Sequence, residues 1–212
     1  MEIIHQLLSY VIHIDHHLSA IIERFGVLSY LLVFLIIFAE TGLVVTPFLP
    51  GDSLLFAAGT FAALGSFRIV ELFVLILSAA IAGDSVNYAV GKFFGERLLQ
   101  GNSRLLKKEH IDRTHAYFEK YGGKTIVLAR FVPIVRTFAP FIAGMGKMRY
   151  GYFFFYNVMG AVLWVGLFVL GGFFFGNVPI IKNNFSVAIL IIIFLSILPV
   201  VFEFYKHRGK SS

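Results

Sequence analysis

The chain has 212 residues, 58% of them hydrophobic and only 14% charged, with a mean hydropathy of +0.83. That balance excludes an ordinary soluble globular domain and predicts a polytopic membrane protein whose apolar segments use up most of its length, with no soluble catalytic domain left over. Cysteine is absent, which excludes disulfide and thiolate chemistry, and the formal charge of +6 gathers beside apolar segments, as in cytoplasmic loops rather than a nucleic-acid surface.

In chain order, residues 1–25 place Ile3, Ile4, Leu7, Leu8, Val11, Ile12, Leu18, Ile21 and Ile22 at helical spacing. This predicts an interfacial amphipathic helix. It lacks a basic leader and an Ala-x-Ala cleavage signal, so it is expected to stay in the mature protein. His13, Asp15, His16 and His17 sit close enough to ligate a metal, but mixed polar decoration of a surface helix explains them, and no metal or other cofactor is expected.

A single membrane domain is expected over 26–205. Residues 26–64 are apolar on both sides of an interruption from Thr46 to Asp52 that contains Pro47, Pro50 and Gly51. A regular helix cannot run through it, so two half-helices folded into a re-entrant hairpin are predicted. Residues 69–91, 151–175 and 185–205 each approach the roughly 20 residues needed to span a bilayer. Between the first two spans, residues 92–124 read as a basic loop with eight Lys or Arg against four Asp or Glu. A second hairpin is predicted over 125–146, interrupted by Pro133 and Pro140. The tail at 206–212 adds Lys206, Arg208 and Lys210.

Three short matches recur in order: Phe48-Leu49-Pro50 as Phe131-Val132-Pro133, Ala57-Ala58-Gly59 as Ile142-Ala143-Gly144, and Gly91 to Gly95 as Gly172 to Gly176, at offsets of 83, 85 and 81 residues. They predict one duplicated unit of hairpin plus spanning helix, each copy ending in a Gly-x-x-x-Gly suited to close helix packing. If the basic loop and the C-terminus are cytoplasmic, the two copies are inverted and their hairpin tips meet near the midplane. The expected fold is therefore an all-α polytopic membrane protein, with two re-entrant hairpins in inverted repeats plus transmembrane helices.

Each hairpin carries charge where lipid disfavours it. Glu40 and Asp52 are the acids of the first, and Arg130 and Arg136 stand in the second. A charge at a helix centre costs roughly 2.5–3.5 kcal/mol on insertion scales, so these four are read as functional. Arginine forks match phosphate oxygens bidentately and stay charged when buried, while carboxylates exchange protons. The expectation is that Arg130 and Arg136 receive a lipid phosphate and that Glu40 and Asp52, opposite them, couple binding to protons. A buried ion-pair cluster that only pins the hairpins together is the structural alternative.

Asp84, with Asn87 three residues on, lies in the 69–91 span and is read either as a proton relay or as a partner of one arginine. Thr46, Ser53 and Thr137 read mainly as caps of broken helices. Asn157 and Trp164, seven residues apart, read as helix packing, and Lys147 and Arg149 as topology anchors that attract anionic headgroups. Leu49 to Ser53 superficially offers a phosphatase turn, but neither hairpin holds a histidine to act as nucleophile or acid, so no enzyme is expected. An assembly or insertion factor would need no charged midplane.

At these residues the sequence resembles the DedA family, the bacterial branch of the SNARE-associated Golgi or VTT-domain membrane proteins. Glu40, the run from Phe48 to Asp52, Gly83-Asp84, and Arg130 to Arg136 with Pro140 and Gly144 stand as in the family pattern, and the similarity runs from about Ile14 to Pro199. The resemblance implies a multi-pass inner-membrane protein with two re-entrant hairpins, supporting envelope integrity in a manner dependent on proton motive force. It implies recycling of undecaprenyl phosphate for several members, and phospholipid scrambling for eukaryotic relatives. The implied partners are a lipid phosphate, protons and membrane lipids.

Overall fold

The computed structural model describes residues 25–43, 51–100 and 108–179. The amphipathic segment before Phe25, Thr46, Pro47 and Pro50, the span at 185–205 and the basic tail lie outside the described residues. Every element among them is helical: α1 (Val27–Gly42), α2 (Gly51–Ala63), α3 (Ile69–Gln100), α4 (Lys108–Tyr121), a 3-10 turn (Gly122–Lys124), α5 (Thr125–Ala129), α6 (Pro133–Met145), α7 (Tyr150–Val165), a π segment (Gly166–Leu170) and α8 (Gly171–Gly176). Two apolar helical stretches of 27 residues each, Ile69–Gly95 and Tyr150–Gly176, are long enough to cross a membrane.

Local sequence accounts for the breaks. Asp52 occupies the first turn of α2, where a carboxylate complements the helix dipole. Pro133 opens α6 at its first position, where its missing N–H costs nothing, after an extended Val132 (φ −123, ψ 104). At the other end of α6, Lys147 adopts a left-handed φ of 55, and its N–H and that of Met148 reach the Gly144 and Ala143 carbonyls. The chain thereby turns into α7 within a few residues.

Three sequence expectations are revised. The first spanning helix continues past 91 to Gln100, because no proline falls from Lys92 to Gln100 and Gly95 is the one weak helix former among them. The basic stretch read as a loop over 92–124 contains α4, a helix whose Lys, Glu, Arg and Ala residues favour it locally. Pro140 does not interrupt the second hairpin but lies within α6; the break falls at Arg130–Val132. Pro140 brings no N–H to the Arg136 carbonyl four residues earlier, so that carbonyl lacks its helical donor.

The chain divides into two compact units, one holding residues up to Leu31, Pro50–Phe73 and the chain from Leu167, the other Leu32–Leu49 and Val74–Gly166. In the first, α2 packs along α8. A Cβ on Gly59 would lie 2.1 Å from the Val169 carbonyl oxygen, one on Gly172 2.0 Å from that of Phe56, and one on Gly176 2.8 Å from Thr60. The Thr60 hydroxyl, bonded to the Phe56 carbonyl within α2, also reaches the Gly172 carbonyl at 3.1 Å. Near the start of α3 in the same unit, the Tyr30 ring meets Phe67 edge-on and its hydroxyl accepts the Arg68 N–H.

In the second unit, α6 packs along α3 by the same device. A Cβ on Gly91 would lie 2.0 Å from the Phe141 carbonyl oxygen, one on Gly144 2.0 Å from that of Tyr88, and one on Gly95 3.0 Å from Met145. Phe56, Gly59 and Thr60 correspond to Phe141, Gly144 and Met145 at an offset of 85, and Tyr88, Gly91 and Gly95 to Val169, Gly172 and Gly176 at 81. One glycine-to-carbonyl contact is thus made twice: α2 packs in parallel with α8, and α6 packs in parallel with α3. The core of this unit gathers Tyr88, Ile126, Ala129, Val135, Ala139 and Phe153, with the Tyr88 hydroxyl donating to the Met148 carbonyl.

Candidate functional site

The second unit collects the charged side chains that the apolar sequence makes conspicuous. Arg130 sits in the break between α5 and α6, only 2% exposed. Its Nη2 donates to Asp84 Oδ2 on α3 and to Asn157 Oδ1 on α7, each at 2.6 Å. Asn157 is itself fixed, since its amide nitrogen donates to the Ile81 carbonyl at 3.1 Å. The Nε and Nη1 of Arg130 are buried with no hydrogen-bond partner among the described residues. Gly160 makes this placement possible, because a Cβ there would stand 3.1 Å from Arg130 Cδ and 3.2 Å from the Val127 backbone.

Arg136 projects from α6, and its Nη2 lies 3.4 Å from Glu40 Oε1 on α1. Both side chains are largely buried, at 11% and 8% exposed. The Trp164 ring of α7, fully buried, stands 4.1 Å from the Arg136 guanidinium carbon and 5.8 Å from that of Arg130. Both arginines therefore meet one indole. Asn87, also fully buried, uses its amide nitrogen to tie the Thr41 carbonyl of α1 (3.3 Å) to the Thr137 carbonyl of α6 (2.9 Å). Close contact of α1 with α3 follows from Gly83, where a Cβ would fall 1.9 Å from the Thr41 hydroxyl oxygen.

Two acids and two arginines thus form a buried, formally neutral cluster. Neutrality matters because an unpaired charge would be far more costly than either pair. Glu40 faces Arg136, and Asp52 is half-buried in the first turn of α2, in the first unit, beside a half-buried Ser53. The carboxylate that meets Arg130 is Asp84, the pairing left open beside the relay role.

Asn157 and Trp164, read from sequence as packing residues, also touch the arginines. The signal for them lay in Asn157, Gly160 and Trp164 at i, i+3 and i+7 on one helix face, a polar, a small and an aromatic residue in an otherwise apolar helix. Lys147 and Arg149 are exposed at the turn before α7. No group of three or more His, Cys, Asp or Glu side chains able to hold a metal occurs among the described residues.

Residues 49–174 match the VTT domain. The chain is 53% identical over 215 residues to Protein DedA of Escherichia coli strain K12, covering all of this chain and 98% of that protein. It is 44% identical over 170 residues to uncharacterized membrane protein Rv0364 of Mycobacterium tuberculosis strain H37Rv, covering 79% and 74% of the two chains. Inner membrane protein YqjA of E. coli K12 is 34% identical over 181 residues, with 85% and 82% covered. No solved structure matches the chain. Its apolar helices, its paired motifs and this full-length similarity make the chain a membrane protein of the DedA family, carrying a VTT domain.

Proposed function

We propose that this protein moves a lipid phosphate, undecaprenyl phosphate in a bacterial inner membrane, from one leaflet to the other with proton coupling. The observation that carries the reading is Arg130: a guanidinium 2% exposed, held by one nitrogen while Nε and Nη1 have no hydrogen-bond partner among the described residues. Buried donors left unsatisfied cost about 1–3 kcal/mol each, more when charged. An anionic headgroup would relieve that cost, since a phosphate monoester presents several oxygens that can each accept a charge-assisted hydrogen bond from one of these free N–H groups. Arg136 supplies the second cation.

Proton coupling follows from charge balance. A phosphate entering the neutral cluster adds negative charge in a low-dielectric setting, where taking up a proton on Glu40 or Asp84 restores neutrality. Asp52, in the other unit, is a further proton-exchanging group on this reading. Inward movement of each proton through about 100 mV supplies roughly 2.3 kcal/mol. Inverted repeats with re-entrant hairpins fit the same picture. The parallel pairing of α2 with α8 and of α6 with α3 supports them, because an outer hairpin and an inner hairpin would each return alongside a span running the same way. The reaction is translocation, with no bond to the phosphate made or broken.

The test is reconstitution in liposomes with labelled undecaprenyl phosphate and, separately, a labelled phospholipid, with and without a pH step. Flux of the polyprenyl phosphate that rises with the gradient, and its loss in Arg130→Ala with protein still incorporated, is the expected result. Equal, gradient-independent flux of both lipids would mark a scramblase. Full activity in Arg130→Ala would leave the ion pairs as a scaffold.

A further inference from the structure

Trp164 is fully buried, and it meets two guanidinium groups while filling the second unit. The Arg136 carbon stands 4.1 Å from the indole centroid, the closest cation-to-ring approach among the described residues, and the Arg130 carbon 5.8 Å. Two like charges held near one another repel, and the two carboxylates offset this from the side, at 2.6 Å and 3.4 Å. The negative face of the indole offsets it from below, an interaction that strengthens when desolvated.

Contact with the ring face also has a directional consequence. A guanidinium is planar, with all its N–H donors in the plane, so one lying flat on a ring face keeps all of them for other partners. Glu40 and an incoming anion then compete for the same edge of Arg136, while the ring keeps the plane from turning away.

We infer that Trp164 is a positioning residue of the anion site, orienting the Arg136 guanidinium so that its edge meets a phosphate also held by Arg130. The ligand class, a phosphate monoester, rests on the function proposed above; the Trp164–Arg136 coupling does not. A lysine at 136 would retain the charge but lose the stacked plane. The ring, rather than the charge alone, would therefore make arginine necessary at this position.

The protein has one tryptophan, so its emission reports this position alone. The full chain in detergent micelles is titrated with radiolabelled dodecyl phosphate and, separately, with inorganic phosphate, and binding is measured by equilibrium partition. A headgroup site binds the alkyl phosphate far more tightly; equal affinities would identify a site for free phosphate. Trp164→Phe should stay within about threefold of the parent, since a phenyl ring retains part of the interaction, whereas Trp164→Leu should lose roughly 10- to 30-fold. In an Arg136→Lys background, Trp164→Leu should cost less than about threefold further, because the stack is already gone.

Losses of equal size in both backgrounds, or full affinity in Trp164→Leu, would overturn the inference. If the parent binds neither probe, the phosphate reading fails while the coupling remains testable without ligand. Parent and Arg136→Lys should differ in tryptophan emission maximum, and their melting temperatures with and without Trp164→Leu should be non-additive. Identical emission with additive shifts would then sink it.

Discussion

Arg130 bonds through one nitrogen to a carboxylate and an amide, Asp84 and Asn157, each at 2.6 Å. Under the proposed function the two partners would act differently on an anion: Asp84 would compete with it for positive charge, while Asn157 would orient the guanidinium without neutralising it. Asn157→Asp should keep the acceptor but add a second buried carboxylate beside Arg130. Alkyl phosphate binding should fall by about 10- to 100-fold at neutral pH and recover partly as the introduced group is protonated on acidification. A pH-independent loss would point to misfolding instead. Asp84→Asn leaves the arginine charge without the carboxylate bonded to it and should destabilise the fold by about 3–5 kcal/mol, read as a lowered melting temperature.

Helices in this protein approach one another through glycine. Gly91 and Gly144 bring α3 and α6 together, and Gly59 and Gly172 bring α2 and α8 together, each at a position where a Cβ would stand 2.0 or 2.1 Å from a carbonyl oxygen. Backbone cannot yield as a flexible side chain can. Gly91→Ala and Gly172→Ala should each cost about 1–3 kcal/mol, lowering the melting temperature of the purified protein by similar amounts in the two units. Gly151, in the first turn of α7, has nothing within 4 Å of its would-be Cβ. Gly151→Ala should be neutral or stabilise by up to about 1 kcal/mol through helix propensity. If all three variants behaved alike, the close contacts would not be what holds these pairs.

For the molecule as a whole, sidedness follows from charge. Arg149 stands at the start of the apolar stretch Tyr150–Gly176 and Asn177 just after it. Basic residues favour the cytoplasmic end of a span. With no native cysteine to interfere, Arg149→Cys should be protected from an impermeant thiol reagent applied to intact cells and Asn177→Cys should label. The reverse pattern would invert the assignment of sides, and with it the direction in which a proton gradient would act under the proposed coupling.

The sequence by itself determined the membrane class, two apolar stretches long enough to span, the recurring glycine positions and the charged positions, because hydropathy, proline breaks and charge are properties of short segments. It also singled out Glu40, Asp52, Arg130 and Arg136, with Asp84, as charges in apolar surroundings. What only the tertiary structure decided was who meets whom. Asp84 and Arg130 are 46 residues apart in the chain, and their contact exists because Gly91 and Gly144 let α3 and α6 close on one another. Trp164 reads as an ordinary core aromatic until α7 sets its face beneath two arginines brought by other elements. Asp52 carries the same charge as Asp84 and stands in an equally marked motif, and its helix α2 packs along α8 in the first unit. A side chain's chemistry is written locally, but its partner is set by helix packing, which depends on contacts far apart in sequence.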